Sequence, residues 1–567
     1  MAYGEQGKYS LAEGSPETVQ KVPPQIKVAF ADVTSTAGIV SKPAGQQAGL
    51  MNPLPGPGAC FIDYDNDGRI DLFLTDNGPR GGMALWHNLG NGKFEDVTHK
   101  AGLDPTIRGT ACAVGDYDGD GFPDIATTFT NGTRRIGLLL FHNQKDGTFK
   151  EVSETAGLKV EGDIAALTFI DYDHDGDLDL YLTRNVPGPP SGQFGGGNVM
   201  WRNNGNATFT DVTAATGLAG SSPVAQQMVG TDYNNDRAID IVVAGSGPNV
   251  AGLQSAAGTT IFENPREGQF KAIHPWPTNV DATGVAALDF NHDGWMDLAF
   301  SHWKPPGVTL WRNNHGQSFE QVQLPEANWA RAYGVAAIDY DNDGWVDLVA
   351  VGETLDGKGE VRLFRNLGPD GFKDVTVDVG LDKIVLKDPR AIITGDYDGD
   401  GATDLLITQN HGPAVLLRNE GGNKNHWLRL NLKGLADNKS AIGTKVEVFA
   451  GGNRQKFEIA GSSGYLGQNS PYLTVGLGQA TQADVVRMLW PTGVLQDEVE
   501  VAADREQKFM EIDRRGSSCP TLFVWDGERY KLVGDMLGAG VVGHWIGPGQ
   551  RDIPRPTEYI KIDRKAI

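Results

Sequence analysis

The sequence predicts an all-β protein: a seven-bladed β-propeller followed by a small β-sandwich. Three observations carry that prediction. One acidic nonapeptide recurs seven times, opening at Asp63, Asp116, Asp171, Asp232, Asp289, Asp339 and Asp396. Successive copies begin 50 to 61 residues apart, the period of a propeller or another repeat array. The repetition then stops, and a stretch of short alternating segments follows.

The nonapeptide reads D-x-[DN]-x-D-G-x-x-D, with oxygen-bearing side chains at positions 1, 3, 5 and 9. In the first three copies these are Asp63, Asp65, Asp67 and Asp71; Asp116, Asp118, Asp120 and Asp124; and Asp171, Asp173, Asp175 and Asp179. The fourth and fifth have Asp232, Asn234, Asp236 and Asp240, then Asp289, Asn291, Asp293 and Asp297. The last two have Asp339, Asp341, Asp343 and Asp347, then Asp396, Asp398, Asp400 and Asp404.

A calcium loop uses hard oxygen donors at this spacing, with the backbone carbonyl of position 7 as a further ligand. That carbonyl belongs to Arg69, Phe122, Asp177, Ala238, Trp295, Trp345 and Ala402 in turn. No Cys or His stands at a ligand position, so the donor set is wrong for zinc. The expectation is six or seven structural Ca²⁺ ions. The fourth copy departs from the pattern: Arg237 replaces the turn glycine and Asn234 removes a charge, so this loop should bind most weakly or not at all. Asn291 keeps a neutral oxygen donor, and its loop should still bind.

Each repeat has four beats. An apolar run precedes the acidic cluster (Ala59 to Ile62, Val335 to Ile338) and another follows it (Leu72 to Leu74, Leu348 to Val351). A third run ends in Asn, as in Leu85-Trp86-His87-Asn88 and Leu310-Trp311-Arg312-Asn313. A Gly-rich turn then leads to a fourth, Phe94 to Thr98 or Phe209 to Thr213. These are the strands of a blade, with the acidic loop joining the first two. The seventh repeat lacks a fourth strand after Asn419, while an orphan fourth strand, Phe30 to Thr34, precedes the first repeat. The N-terminal strand is therefore expected to complete the last blade and remove an exposed edge.

These features resemble the FG-GAP/VCBS repeat family, whose propellers include the integrin α head, over residues 28 to 421. The resemblance implies a calcium ligand role for positions 1, 3, 5 and 9 of each motif. Past Gly422, β segments such as Trp427 to Leu432, Lys445 to Phe449 and Val485 to Trp490 suggest a sandwich over residues 422–513. Asn425-His426-Trp427-Leu428, Ala441 to Val446, Gly461 to Asn469 and Trp490-Pro491-Thr492-Gly493 resemble the ASPIC/UnbV domain, and the two together resemble the cartilage acidic protein family. That resemblance carries no catalytic residues. Gly464 and Tyr465 read as a turn. In residues 514–567, Thr521 to Val533 reads as a hairpin with an Asp-Gly turn, the start of a further β segment cut short.

The formal charge of -23 disfavours nucleic acid as a partner. The motifs hold 26 Asp at the four ligand positions, and seven divalent ions would leave -9, so the acidity is mostly site chemistry. No apolar run is long enough to span a membrane. The N-terminal extension, residues 1–27, opens on a polar stretch without an apolar secretion core. Calcium loops in this number nonetheless suit an extracellular, periplasmic or cell-surface location, with a removed or unrecorded signal sequence. Cys60, Cys112 and Cys519 form no disulfide framework; Cys60 and Cys112 read as buried thiols.

No G-x-S-x-G, P-loop or H-E-x-x-H constellation occurs. His174 and His292, at position 4 of their loops, read as solvated. The face opposite the acidic loops carries long connections, Arg184 to Gly197 and Gly245 to Gly258. It also carries His302, Trp303, Trp329, Tyr333, and a set of arginines (Arg108, Arg331, Arg390) that could ring the channel mouth. The reading is a secreted or cell-surface binding or scaffold protein presenting loops to a protein or glycan partner. A polysaccharide lyase, with Arg331 beside Tyr333, is one alternative; an accessory subunit of an extracytoplasmic complex is another.

Overall fold

The computed structural model describes residues 22–43, 56–130, 135–160, 163–187, 194–219, 224–246, 258–266, 268–278, 280–513, 521–525, 530–535, 545–547 and 550–551. Among these, seven four-stranded antiparallel sheets account for the repeats. The first comprises Ala59–Ile62, Asp71–Leu74, Ala84–Gly90 and Lys93–Asp96, hydrogen-bonded in chain order. Its two inner strands are buried throughout, whereas Lys93–Asp96 buries only Phe94. That gradient belongs to a sheet wedged between two others at its inner edge and open to water at its rim.

The apolar side chains fill the gaps between neighbouring sheets rather than a common centre. Phe61, Leu72 and Trp86 of the first sheet share a cluster with Ile393, Leu406 and Leu416 of the seventh. The seventh sheet holds Pro389–Gly395, Asp404–Gln409 and Val415–Glu420, and its outer strand is the N-terminal Ala29–Asp32. The register pairs Phe30 with Asn419 and Asp32 with Leu417, and Val33 continues the ladder to the carbonyl of Leu416.

The asparagine that ends every third strand ties each sheet to the one before it. Its side-chain amide donates to the carbonyl of position 2 in the preceding acidic loop, at 2.6–2.8 Å in all seven cases. Asn88 reaches Tyr397, so the same bond that joins consecutive sheets also closes the ring. The other amide hydrogen goes to the carbonyl of position 8 in its own loop. A buried amide with both hydrogens satisfied specifies geometry as well as stability.

Cys60 and Cys112 are disulfide-bonded, not free thiols. They stand on the innermost strands of adjacent sheets, where the wedge shape brings the Cα atoms to 6.3 Å, within bridging reach.

Beyond the ring, a three-stranded sheet (Leu473–Gly478, His426–Lys433, Arg505–Met510) faces a four-stranded one (Asn453–Glu458, Lys445–Ala450, Gln482–Leu489, Leu495–Ala502). Leu428, Leu430, Val446, Val448, Val475 and Met488 form their shared core. This is the expected sandwich, with His426–Lys433 and Arg505–Met510 running parallel. Sandwich and ring belong to one compact unit, residues 1–511.

The connection between Glu458 and Leu473 leaves the sandwich and enters the axis of the ring. It touches the innermost strand of every sheet. Gly461 approaches Phe169, Ser462 donates to the carbonyl of Met228, and Gly464 forms an antiparallel bridge with Val285 and approaches the carbonyl of Val335. Gln468 pairs with the Cys60 strand, and its side chain bonds both backbone groups of Val114; Ser470 donates to the carbonyl of Thr394. Tyr465, at the tip, is buried against Tyr333 with ring centroids 5.6 Å apart. Gly464 and Tyr465 do form a turn, and that turn fills the pore. Gly461 is obligatory because a Cβ would lie 2.2 Å from the carbonyl oxygen of Phe169.

In residues 512–567, which form a separate unit, Thr521–Trp525 pairs with Tyr530–Asp535. The Asp-Gly turn itself lies outside the described residues.

Candidate metal centres

The seven acidic loops are built alike. Position 4 and position 6 both lie in the left-handed region, which admits Asn, His and Gly at the first and favours Gly at the second. Arg237 adopts the same conformation at φ 73°. The backbone amide of position 7 donates to the position 5 carboxylate in every loop, at 2.8–3.0 Å. In every loop but the third, the amides of positions 5 and 6 donate to the two oxygens of position 1, as Asp67 and Gly68 do to Asp63. The position 9 carboxylate accepts the backbone amide of the third-strand Asn at 2.7–2.8 Å. These hydrogen bonds hold the carboxylates in place.

They also converge. Carboxylate oxygens of Asp63, Asp65 and Asp67 lie within 4.8 Å of one another, as do those of Asp116, Asp118 and Asp120, and of Asp171, Asp173 and Asp179. Both carboxylate oxygens of Asp171 are buried without a hydrogen-bond donor. Burial, reinforced by neighbouring carboxylates, pushes Asp116 and Asp289 up to about 7 and Asp171 up to about 8. Burial lifts Asp396 to about 7 as well, against the Arg429 guanidinium nearby. Such a cluster is short of positive charge, and a divalent ion would relieve it. The residues fit a hard cation held by oxygen.

In four repeats the residue preceding the third-strand Asn points back at the loop. His87 Nδ1 lies 3.2 Å from Asp71 and His142 Nδ1 3.3 Å from both Asp118 and Asp124. Arg365 reaches Asp341 and Asp343, and Arg418 reaches Asp398 and Asp400. The sequence carried a signal for this, a basic side chain at that position in six of seven repeats, with Glu263 in the fourth.

The sandwich sits on these loops. Tyr472 donates its hydroxyl to Asp63, Ser440 accepts the amide of Asp116, Arg429 donates to the carbonyl of Gly68, and Asn425 donates to the carbonyl of Asp341. A cavity of about 620 Å³ lies at the junction, lined by Asp63, Asp116, Gln468 and Tyr472 among others. His174 and His292 are accordingly not solvated. Burial pushes both down to about 4, and His292 stacks on Trp345 at 4.2 Å.

The opposite face is more closed than expected. Trp329 and Tyr333 are fully buried, and Arg390 lies buried 3.9 Å over the Tyr333 ring, paired with Asp388. Arg108 binds Asp76 and Arg331 binds Glu353, so Arg331 and Tyr333 do not share an open site. The long connections retain strand pairing out to Pro187 and Phe194, and residues 188–193 and 247–257 lie outside the described residues.

Residues 63–127, 130–182, 232–300 and 339–407 match the FG-GAP-like repeat, and residues 108–148 match the FG-GAP repeat. Residues 434–515 match the ASPIC and UnbV family. The chain is an FG-GAP repeat protein with an ASPIC/UnbV domain.

The FG-GAP repeats and the ASPIC/UnbV domain together align with cartilage acidic protein 1. The Xenopus tropicalis protein is 25% identical over 463 residues, covering 77% of this chain and 61% of that protein. The Mus musculus protein is 23% identical over 481 residues, covering 80% of this chain and 64% of that one. The chain thus spans about three fifths of the length of these relatives. Among solved structures, the exotype rhamnogalacturonan lyase YesX is 13% identical with a TM-score of 0.38, over 69% of this chain and 76% of that one. Aleuria aurantia lectin is 9% identical with a TM-score of 0.34, over 57% of this chain and 95% of that one. No helix among the described residues is long and apolar enough to cross a membrane.

Proposed function

We propose that this protein is a calcium-stabilised, non-catalytic binding or scaffold protein of an extracytoplasmic compartment. Its acidic loops hold structural Ca²⁺, and the face opposite them meets a protein or glycan partner. The observation that carries the reading is the seating of the ASPIC/UnbV domain on the acidic loops, with its axial connection reaching all seven innermost strands. That face and the pore are committed to internal structure, which leaves the opposite face for a partner. Coordinatively filled loops would pin hairpins and offer no open Lewis-acid position.

Calorimetric titration of metal-free protein with Ca²⁺ tests the first half; absence of binding heat below millimolar calcium sinks it. A glycan and protein-ligand array on wild type and on the double variant Arg108→Glu, Arg331→Glu tests the second. Binding that survives charge reversal unchanged places the partner elsewhere. Release of unsaturated products from acidic polysaccharides would overturn the non-catalytic reading.

A further inference from the structure

We propose that the fourth acidic loop is not a calcium site but the anchor by which the ASPIC/UnbV domain grips the ring, with the Lys445 ammonium as its permanent counter-ion. The inference rests on the calcium reading of the other loops. Asp232, at position 1, is 0% exposed, and Lys445, itself 8% exposed, donates its ammonium to Asp232 Oδ2. Among the described residues this is the only ion pair joining a sandwich side chain to an acidic-loop carboxylate. In the other loops the sandwich uses a tyrosine hydroxyl, a serine hydroxyl or contacts to backbone carbonyls.

Two further groups of the same hairpin close on the same loop. Glu458 pairs with Lys445 across the sheet. Its Oε2 accepts the Thr231 hydroxyl at 2.6 Å and the Asp232 amide at 3.2 Å. Lys456 donates to the Asn235 side chain at 2.6 Å and to the carbonyl of Gly294. One strand pair of the sandwich therefore clamps residues 231–235 with three charged side chains.

The loop itself is a poorer cation site than the other six: Asn234 brings no charge, and Arg237, a cation, sits in the backbone conformation that its counterparts give to glycine. An incoming ion would also have to displace a buried ammonium, leaving it desolvated and unpaired. Calcium and Lys445 compete for one carboxylate, and the resident cation is covalently tethered.

Native mass spectrometry of the full chain in calcium is expected to count six ions, and the triple variant Asn234→Asp, Arg237→Gly, Lys445→Met seven. Seven on wild type overturns this proposal alone; none overturns the calcium reading with it. A triple variant that folds and stays at six also overturns it. Terbium-soaked wild-type crystals give a check independent of any variant: an anomalous peak at Asp232 contradicts the assignment. Lys445→Ala in saturating calcium should raise proteolytic cutting at residues 421–425 several-fold. The exposed Lys433→Ala in the same domain should not, and equal cutting of the two removes the anchoring role.

Discussion

Asn88 shows how one side chain can hold a ring together. Its amide joins the first sheet to the seventh through the Tyr397 carbonyl and to its own loop through Ile70. Substituting Asn88→Ala leaves two buried carbonyls without these donors, at a cost of about 1–3 kcal/mol for each unsatisfied group. Urea denaturation should show a lowered midpoint with unchanged slope. Loss of less than about 0.5 kcal/mol would mean that water replaces the amide. The sequence shows the recurrence of this asparagine but not its partner, because the partner is a main-chain carbonyl in another repeat. The same holds for Cys60 and Cys112: their equivalent places in consecutive repeats are legible, whereas the wedge that brings them together exists only once the ring is closed.

The acidic loop, as an element, makes a pH-dependent prediction whose sign is fixed by burial. Asp116, Asp171 and Asp289 are raised from an ordinary 3.8 to about 7 or 8. Without metal the folded state therefore holds more protons than the unfolded one between those limits. Stability of the metal-free protein must fall as pH rises from about 4 to 8. Calcium held by the ionised carboxylates, as proposed, should remove or reverse that slope, while adding stability by mass action. Melting temperatures from pH 5 to pH 8, in EGTA and in calcium, test both statements; parallel curves would contradict the second. These loops were the most legible part of the chain because their chemistry is local, nine residues carrying both ligands and turn. What covers them was not legible. Lys445, Tyr472 and Arg429 reach the loops from more than 200 residues away in sequence, on strands whose alternation showed only that they were strands.

For the whole molecule, closure depends on a strand far from its partner in sequence. Deleting residues 1–34 removes Ala29–Asp32 and leaves Val415–Glu420 as an exposed edge. Light scattering at micromolar concentration should show time-dependent aggregation that the full chain lacks; a stable monomer would show that closure is dispensable. This pairing could be read by counting strands, since one repeat was short by a strand and one strand was spare. The filling of the pore could not be counted. Residues 461–470 are polar and glycine-rich, the composition of an ordinary surface loop, and only the ring's geometry gives Tyr465 its burial. Tyr465→Ala should cost about 3–5 kcal/mol, as for other large buried aromatics. A loss below about 1 kcal/mol would place the ring in solvent.

The position of that connection in the chain has a temporal consequence. All seven sheets are complete by Glu420, yet the groups that occupy their axis arrive only with residues 461–470. A ribosome delivering the chain from its N-terminus releases every residue of the wheel before any residue of the axle. In a ring that folded during that interval, the inner carbonyls of Ala59, Val114, Met228 and Val285 would have only water for partners, and the wheel would stand hollow. Insertion of the axle into such a ring would be a separate, late event, one that expels this water and fixes the spokes at once. Translation paused before residue 461 should leave a ring whose central amides exchange with solvent, and those amides should become protected only when the remainder is supplied.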